Sequence, residues 1–338
     1  ILTKNDRIKA FGKLGEWMLQ LDQDTIWRIE SIRNRNPWYT KENVLKQFQA
    51  LGQNLNTDKL EAWTAPYNVT NTSKVVGLVL AGNIPLVGFH DVLSTLILGF
   101  TAQIKLSSDD AGLSTLVLNK FMEIEPRFQN QIQIVERLAN FDLVIATGSN
   151  NTARYFEYYF GKKPHIIRKN RNSIAVLTGE ESSEQLSKLG DDIFDYFGLG
   201  CRSVSKIFIP KDYPIATFFE AIEQYSPIRD HYKYNNNYDY NKSIYLVNGD
   251  KHYDNGFLLL KKDENIASPL AVIFYQEYES LSEVENYINS RQENIQCVTS
   301  IASLNIETPL FSLGGSQCPA LDDYADGVNT LQFLADNQ

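Results

Sequence analysis

Residues 75–85 read Val-Val-Gly-Leu-Val-Leu-Ala-Gly-Asn-Ile-Pro, an apolar run that ends in a turn. The first seven of these residues are continuously apolar, and a run of that length suits a strand covered on both faces. Strands of this kind occur in parallel sheets, where helices make the connections. We therefore place the first strand of a core sheet at residues 75–81.

The segments on either side of this strand alternate between helical and strand patterns. Downstream of it, the patterns predict a helix at 85–98, a strand at 101–106, a helix at 110–124, and strands near 131–135 and 143–147. A second series has strands at 173–177 and 204–209, helices at 182–197 and 214–225, strands near 243–248, 256–261 and 270–275, and a helix at 282–290. This alternation predicts an α/β protein with two doubly wound domains.

Two further segments complete the predicted organisation. Residues 4–63 carry helical periodicity and are predicted to form an N-terminal helical layer. The boundaries are then 1–63 for this layer, 64–170 for a first domain and 171–338 for a second domain. The segment 232–245 is rich in Asn and Tyr, and we interpret it as a surface excursion of the second domain.

Composition excludes several classes of protein. The chain has 338 residues and a formal net charge of −9, so it lacks the basic surface that a nucleic-acid partner requires. The cysteines at 201, 297 and 318 form no C-x-x-C pair, so neither a disulfide framework nor a metal site is indicated. No apolar run reaches the length of a membrane helix and no signal peptide is evident, so we expect a cytoplasmic protein.

Cys201 lies where a predicted loop ends and a buried strand begins. Gly198 and Gly200 let the backbone turn tightly before it, and the strand at 204–209 follows. A thiol in such a place can attack a substrate carbonyl, although a lone cysteine is more often a small buried hydrophobic residue. Cys297, in an alternating strand pattern, and Cys318, in a glycine-rich turn, are interpreted as structural.

Two polar turns follow the first two predicted strands, at the edge where doubly wound sheets bind ligands. Asn83 has a side chain that can donate to a developing oxyanion; the alternative is that it only caps the turn before a helix. Lys105, followed by Ser107 and Ser108, suits a ribose or its phosphate; a solvated lysine at the end of a strand is the alternative.

A third turn, Thr147-Gly148-Ser149, leads an apolar strand directly into a helix. The free backbone N–H groups at the start of that helix can hold a pyrophosphate. A Gly-Ser turn is common, so this signal gains its meaning from its order relative to the other turns and to Cys201.

The order of these signals resembles the aldehyde dehydrogenase superfamily, in which an Asn-x-Pro, a Lys-x-Ser, a Gly-Ser helix start and a cysteine follow one another. Within it, the chain is most similar to the acyl-CoA reductases typified by the fatty-acid reductase of bacterial luminescence. That similarity rests on Gly-Asn-Ile-Pro-Leu-Val-Gly at 82–88, Phe-Gly-Leu-Gly-Cys-Arg-Ser-Val-Ser-Lys at 197–206 and Asp-Tyr-Ala-Asp-Gly-Val at 323–328. The resemblance implies an aldehyde-dehydrogenase-like fold.

The resemblance also implies roles for individual residues. Cys201 is then the nucleophile and Asn83 the oxyanion donor. The implied cofactor-binding residues are Lys105, Ser107, Ser108, Thr147, Gly148, Ser149 and, for the nicotinamide ribose, Glu264 or Asn265. Residues 64–170 become the nicotinamide-dinucleotide-binding domain with 1–63 as its helical layer, and 171–338 become the catalytic thiol domain with the C-terminal segment.

Two departures from the superfamily pattern bear on the reaction. Arg168 stands where aldehyde-oxidising members carry the glutamate that activates water, and an enzyme that reduces an acyl thioester must avoid hydrolysis. Ser108 stands where many NAD-preferring members carry a glutamate, which favours NADPH. Asp109 and Asp110 lie close by and leave NADH open.

These implications lead to an expected function. We expect NADPH-dependent reduction of a long-chain fatty acyl-CoA to the aldehyde through an S-acyl intermediate on Cys201. The alternatives are an acyl-phosphate reductase of the same superfamily and a redox-inactive acyl-binding protein. We expect acyl-CoA as substrate, an acyl-protein synthetase or transferase as partner, and a homo-oligomer. His165 and His231 are both candidates for the proton donor.

Overall fold

The computed structural model describes residues 1–338, which divide into two compact units. The first unit comprises Ile1–Asn170 together with Ala320–Gln338, and the second comprises Arg171–Pro319. Each unit contains its own sheet, with five strands in the first and seven in the second. The predicted α/β class with two domains and parallel sheets is confirmed.

The first unit begins with the predicted helical layer. Its helices are α1 (Lys4–Leu19), α2 (Gln23–Ile32), α3 (Lys41–Asn54) and α4 (Thr57–Thr64). Each helix starts at a side chain that accepts a hydrogen bond from the first turn, and these caps are Thr3, Asp22, Thr40 and Asn56. On its inner face α1 places Phe11 against Phe121, with ring centroids 4.3 Å apart, which joins the layer to the core.

The first sheet consists of β1 (Val75–Val79), β2 (Thr101–Lys105), β3 (Ile132–Ile134), β4 (Leu143–Thr147) and β5 (His165–Arg168). Its order is β3-β2-β1-β4-β5, and all neighbouring pairs are parallel. Helices α5 (Phe89–Ile97), α6 (Leu113–Ile124) and α7 (Asn150–Phe160) lie between the strands along the chain. Because the chain moves outward from β1 to β3 and then returns to β4, a topological switch point lies between β1 and β4.

The second sheet consists of β6 (Asn172–Val176), β7 (Val204–Pro210), β8 (His252–Asp254), β9 (Leu259–Lys262), β10 (Val272–Tyr278), β11 (Ile295–Ser300) and β12 (Leu310–Phe311). Its order is β12-β11-β6-β7-β10-β9-β8, and only the β8–β9 pair is antiparallel. The helices of this unit are α8 (Ser183–Phe194), α9 (Ile215–Ala221), α10 (Tyr232–Asn248) and α11 (Leu281–Asn289). Strand β7, in the middle of the sheet, is buried along almost its whole length.

The predicted strand near 243–248 is wrong, because these residues belong to helix α10. The buried side chains of α10 are Tyr234, Tyr238, Asn241 and Tyr245, whose spacing places them on one face of a helix. Gly249 ends the helix with φ +69°. The strand propensity of Tyr, Ile and Val at this place yields to the tertiary packing of that face.

Other predicted boundaries shift as well. The helix predicted at 85–98 begins only at Phe89, and the helix predicted at 182–197 ends at Phe194 and gives way to a short 3-10 helix. The strand predicted at 256–261 begins at Leu259 and pairs with β8 in a hairpin that the pattern did not indicate. None of the helices is long and apolar enough to cross a membrane.

The predicted assignment of the C-terminal segment to the second domain is wrong, because residues 320–338 belong to the first unit. This segment contains helix α12 (Thr330–Ala335), whose Leu331 and Leu334 are fully buried in the first unit's core. The hydroxyl of Thr330 also accepts a hydrogen bond from Arg168 at 3.2 Å.

Candidate active site

Three of the predicted turns meet at one edge of the first sheet. Asn83 follows β1, Lys105 ends β2, and Ser149 follows β4. These three strands are neighbours, and Val79 is in register with both Lys105 and Ala146. Since all three are parallel, their carboxyl ends lie together at the switch point, where doubly wound sheets bind ligands.

Side chains of the helical layer hold the two loops after β1 and β2. The Tyr39 hydroxyl donates to the Gly82 carbonyl at 2.8 Å and to the Ile84 carbonyl at 3.1 Å, on either side of Asn83. Burial raises the pKa of Tyr39, so the hydroxyl stays protonated, and therefore a donor, well above neutral pH. Asn36 Nδ2 donates to the Asp109 carbonyl at 2.8 Å. The helical periodicity of this layer identified its helices but not these polar contacts.

The loop after β2 is packed directly against the loop after β1. A Cβ on Gly82 would lie 2.8 Å from both Cβ and Oγ of Ser107, so only glycine allows this approach. Ser107 Oγ accepts from the Asp109 N–H at 3.2 Å and opens a short 3-10 helix over Ser108–Asp110. Lys105 and Ser108 are exposed at this edge.

Near the loop that follows β2, one carboxylate is buried and one guanidinium is exposed. The Asp110 carboxylate is buried and accepts from the Ser114 N–H at 3.0 Å and from the Ser114 hydroxyl, at the start of α6. Arg35, by contrast, is exposed, and its Nη1 would lie 3.2 Å from a Cβ on Gly112. A cation of the helical layer therefore lies over the loop that follows β2.

The turn after β4 packs so closely against helix α7 that it leaves no room for a side chain on Gly148. A Cβ on Gly148 would lie 2.8 Å from the Phe156 ring, and Ser149 Oγ caps α7 by accepting from the Thr152 N–H at 3.2 Å. Thr147 is half-buried and Ser149 is exposed. A glycine turn at a helix N-terminus, next to a lysine and serine loop, fits the pyrophosphate and ribose of a dinucleotide.

Arg168, at the end of β5, is held inside the first unit. Its Nη1 lies 2.6 Å from the Asp91 carboxylate, and both side chains are almost fully buried. Arg168, which the resemblance aligns with the glutamate of aldehyde-oxidising members, is thus the cation of a buried ion pair.

In the second unit, the loop before Cys201 has a strained backbone. Tyr196, Phe197 and Gly198 have φ angles of 54°, 58° and 75°, in the left-handed region. For residues with large side chains this costs about 1–3 kcal/mol each, and such strain concentrates at functional sites. Burial of both aromatic rings, with Phe197 packed 4.3 Å from His231, keeps the loop in this conformation.

We call residues 196–203, which carry Cys201, the thiol loop. Hydrogen bonds from two other segments hold it in place. Ser173 Oγ, at the start of β6, donates to the Cys201 carbonyl at 3.0 Å. Ser203 Oγ accepts from the Gly200 N–H at 3.2 Å and from Gln317 Nε2 at 3.1 Å. Cys201 itself is half-exposed. The loop therefore presents its thiol from a backbone that is bonded on both sides of the residue.

Asp192, near the end of α8, organises the segment that carries Gln317. Its carboxylate accepts from the Gly314 N–H at 2.6 Å, the Ser316 N–H at 3.0 Å and the Ser316 hydroxyl at 2.7 Å. Burial is the main influence on this carboxyl group and raises its pKa, against the effect of these hydrogen bonds. The sequence offered no signal for this role, because the partners lie more than 100 residues apart.

The other two cysteines differ from Cys201. Cys297 is fully buried in β11, burial raises its pKa to about 11, and its Sγ lies 3.1 Å from the Ser173 hydroxyl. Cys318 is exposed.

Arg202, next to Cys201 in the chain, contacts an aromatic ring: its guanidinium lies 5.7 Å from the centre of the Phe311 ring. No group of His, Cys, Asp and Glu side chains is arranged to hold a metal ion.

Glu264 and Asn265 lie exposed in the loop between β9 and β10. This loop runs back beside the start of β7, where Ser205 Oγ donates to the Ile266 carbonyl at 2.6 Å. Further along it, Leu270 would lie 3.9 Å from a Cβ on Gly198. The second unit thus brings this loop next to the thiol loop, while the other predicted cofactor residues form a separate group within the first unit.

Comparisons with solved structures place the fold. The chain is similar to the indole-3-acetaldehyde dehydrogenase AldA of P. syringae, solved with NAD+, at 12% identity and a TM-score of 0.67, over 88% of this chain and 72% of that one. It is similar to a benzaldehyde dehydrogenase of Corynebacterium glutamicum at 12% identity and a TM-score of 0.67, over 94% and 83%. It is also similar to aldehyde dehydrogenase 21 of Physcomitrella patens, at 13% identity and a TM-score of 0.63, over 98% of this chain and 88% of that one.

These structural similarities confirm the predicted aldehyde-dehydrogenase-like fold. Because the sequence identities are only 12–13%, the similarities are evidence for the fold alone. No curated protein sequence matches the chain. The family model described as acyl-CoA reductase (LuxC) matches residues 18–223, which is more than half of the chain and includes Asn83, Lys105, Ser149 and Cys201. The chain therefore belongs to the acyl-CoA reductase (LuxC) family.

Proposed function

We propose that this protein reduces a fatty acyl-CoA to the aldehyde with NADPH, through an S-acyl intermediate on Cys201. The observation that carries the proposal is the strained loop before Cys201. This half-exposed cysteine lies three residues beyond a run of three left-handed residues, and its own carbonyl accepts a hydrogen bond. A structural cysteine needs neither the strain nor the exposure, whereas a nucleophile needs both a fixed direction and access.

The first half-reaction is acyl transfer to the thiol. The Cys201 thiolate attacks the thioester carbonyl, and the new C–S bond forms as the carbonyl becomes an oxyanion. Asn83 is proposed as a donor to that oxyanion, by resemblance to the superfamily. The oxyanion then collapses, the bond to the sulfur of coenzyme A breaks, and the departing thiolate takes up a proton. The acyl group remains on Cys201.

The second half-reaction releases the aldehyde. A nicotinamide cofactor supplies the hydride for the acyl carbon when bound at the edge formed by the β1, β2 and β4 loops. Lys105, Ser107 and Ser108 are proposed to hold its adenosine ribose, and Thr147, Gly148 and Ser149 its pyrophosphate. The resulting hemithioacetal oxyanion on Cys201 collapses, the C–S bond breaks, and the thiolate is restored.

The buried ion pair of Arg168 supports reduction over hydrolysis. A thioester on Cys201 is lost to water if a carboxylate activates that water. Position 168 carries a guanidinium whose partner, Asp91, lies 2.6 Å away, so this position supplies no free base. The acyl-enzyme is therefore preserved for the hydride step.

The surroundings of the β2 loop support NADPH. Ser108 carries no charge, and the carboxylate of Asp110 is turned toward Ser114 at the start of α6. Arg35 brings a guanidinium over Gly112, and a guanidinium is the group best suited to a phosphate. Asp109 remains exposed at this loop. Arg35 thus supplies a positive charge beside Gly112, close in the chain to the place proposed for the 2′-phosphate.

The test separates the two half-reactions. Acyl-CoAs of several chain lengths are incubated with the protein without cofactor, and the acyl adduct is located by peptide mass spectrometry. NADPH is then added, and loss of the adduct and formation of aldehyde are followed. We expect the adduct on Cys201, and we expect Cys201→Ala to lower kcat by at least about 10³-fold, as removal of a nucleophile does.

The matched control is Cys318→Ala, which removes an exposed thiol of the same unit and should keep wild-type activity. Normal turnover in Cys201→Ala, or an adduct only on Cys318, contradicts the mechanism. Turnover with acyl phosphate and none with acyl-CoA assigns the alternative substrate.

A further inference from the structure

Lys206 is a buried cation that the proposed mechanism does not use. It lies in β7, four residues beyond Arg202, and is fully buried. Its ammonium group donates to the Asp263 carbonyl at 2.7 Å and to the Asn265 carbonyl at 3.2 Å. Burying an ammonium group costs several kcal/mol unless it is compensated, so this lysine requires an explanation.

Lys206 is one of three side chains that bind four consecutive carbonyls. Between its two acceptors, the Glu264 carbonyl accepts from the Tyr287 hydroxyl at 2.7 Å. The next carbonyl, that of Ile266, accepts from Ser205 Oγ at 2.6 Å. We call residues 263–266 with these three side chains the carbonyl clamp. Its backbone is bonded at every carbonyl, although the loop lies at the surface.

The groups facing Lys206 explain how its charge is accommodated. Its Nζ lies 5.3 Å from the Phe208 ring and 5.2 Å from the Tyr287 ring, so both aromatic faces stabilise the ammonium. Burial lowers its pKa to about 8; Asp263 and Glu264 act to raise it, and Arg291 acts to lower it. No carboxylate forms an ion pair with it, so its main partners are the loop carbonyls.

Both hydrogen bonds of this buried lysine go to the loop between β9 and β10, so we expect the lysine to restrain that loop. Without the clamp, the carbonyls at 263–266 would bond to water and the loop would sample several conformations. With it, the exposed side chains of Glu264 and Asn265 project from a fixed backbone, which is what a ligand-binding segment needs.

We propose that Lys206 is a positioning residue: with Ser205 and Tyr287 it holds residues 263–266 in the conformation that presents Glu264 and Asn265 to the nicotinamide ribose. This inference rests on the proposed function in one respect, that these two side chains bind the cofactor. The clamp acts on the hydride half-reaction and leaves acyl transfer to Cys201 to the thiol loop.

The experiment compares Lys206→Met with Lys206→Arg and with Lys211→Met. Lys211 follows the same strand, but its side chain is exposed, so its replacement is a matched control. We measure the Kd of NADPH by calorimetry, KM and kcat, the rate of Cys201 acylation without cofactor, and hydrogen exchange of the amides at 263–271.

For Lys206→Met we expect the Kd and KM of NADPH to rise about tenfold, as loss of charge-assisted hydrogen bonds predicts. Exchange should increase at 263–271 and not elsewhere, and acylation should stay within about twofold of wild type. Lys206→Arg should restore most of the affinity, because a guanidinium also donates to two carbonyls. Lys211→Met should match wild type.

Two results overturn the inference: unchanged NADPH affinity and loop exchange in Lys206→Met, or equal losses in acylation and in NADPH affinity, which would show a general structural role. If Lys206→Met does not fold, Tyr287→Phe decides, with about a threefold rise in Kd expected and no change contradicting the clamp. A wild-type protein that forms no acyl adduct refutes the proposed function instead, while the exchange data still test the clamp.

Discussion

Two buried cations, Arg168 and Lys206, show how the same kind of residue serves different ends. Arg168 has a carboxylate partner in Asp91 at 2.6 Å and therefore joins β5 to α5 within the first unit's core. Lys206 has carbonyls of a surface loop and two aromatic rings as partners instead, and burial lowers its pKa to about 8. A buried cation with a carboxylate partner joins two elements of the core, whereas a buried cation that donates to loop carbonyls fixes the conformation of that loop.

Arg35 allows a test at the scale of one residue. We expect Arg35→Gln to weaken binding of 2′,5′-ADP about fivefold or more and to leave binding of ADP unchanged, because only the former has a 2′-phosphate. Calorimetry with both ligands at two salt concentrations measures this, and the difference should shrink at high salt. Arg33→Gln, also exposed in the same loop, is the control. Equal weakening of both ligands would exclude a role in phosphate recognition.

Helix α8 shows what a single element contributes to the site. Its start is set by a capping box in which Ser182 and Gln185 bond each other's backbone, and its apolar face packs into the unit. These features were readable from the sequence. Its end at Phe194 was not, because the left-handed residues that follow are Tyr196 and Phe197, which local preference disfavours in that conformation. Tertiary burial of their rings overrides the preference.

Asp192 allows a test at the scale of this element. In Asp192→Asn one acceptor oxygen becomes an NH2 group that faces N–H donors of the 314–316 turn. We expect the free energy of unfolding to fall by about 2 kcal/mol, in line with loss of hydrogen bonds to a charged group. Because that turn leads to Gln317 and the thiol loop, acylation of Cys201 should slow about tenfold.

Urea unfolding and single-turnover acylation measure the two effects of this substitution. Glu184→Gln, at an exposed position of the same helix, is the control and should change neither. Normal acylation in a destabilised Asp192→Asn protein would show that the 314–317 segment does not position the thiol.

At the scale of the whole molecule, the chain returns to its first unit after completing the second. Residues 320–338 join the unit formed by 1–170, and α12 buries Leu331 and Leu334 there. Sequence alone assigns this segment to the second domain, because a local pattern does not indicate which core receives it. Its partners, such as Arg168, lie more than 150 residues earlier in the chain.

Leu331→Ala tests this return. We expect a loss of about 3 kcal/mol in the unfolding free energy of the first unit, since deletion of a fully buried leucine side chain leaves a cavity. Hydrogen exchange should increase among residues 1–170 and stay unchanged in 171–319. Val328→Ala, at a residue 40% exposed, serves as the control. Increased exchange confined to the second unit would contradict the assignment.

The sequence by itself determined the α/β class, the positions of most strands along the chain and the turns that carry Asn83, Lys105, Ser149 and Cys201. These depend on apolar periodicity and on glycine or polar residues at strand ends, which are local properties. Helix α10 shows the limit of such properties, because the composition of Ile-Tyr-Leu-Val at 244–247 favours a strand until the surface that Tyr245 packs against is known.

Only the tertiary structure decided the strain before Cys201, the Asp192 contacts, the carbonyl clamp of Lys206 and the return of residues 320–338. Each joins groups that are distant in the chain, and the burial that stabilises it exists only in the folded molecule. A side chain's partner across the fold is set by packing, which no local pattern contains.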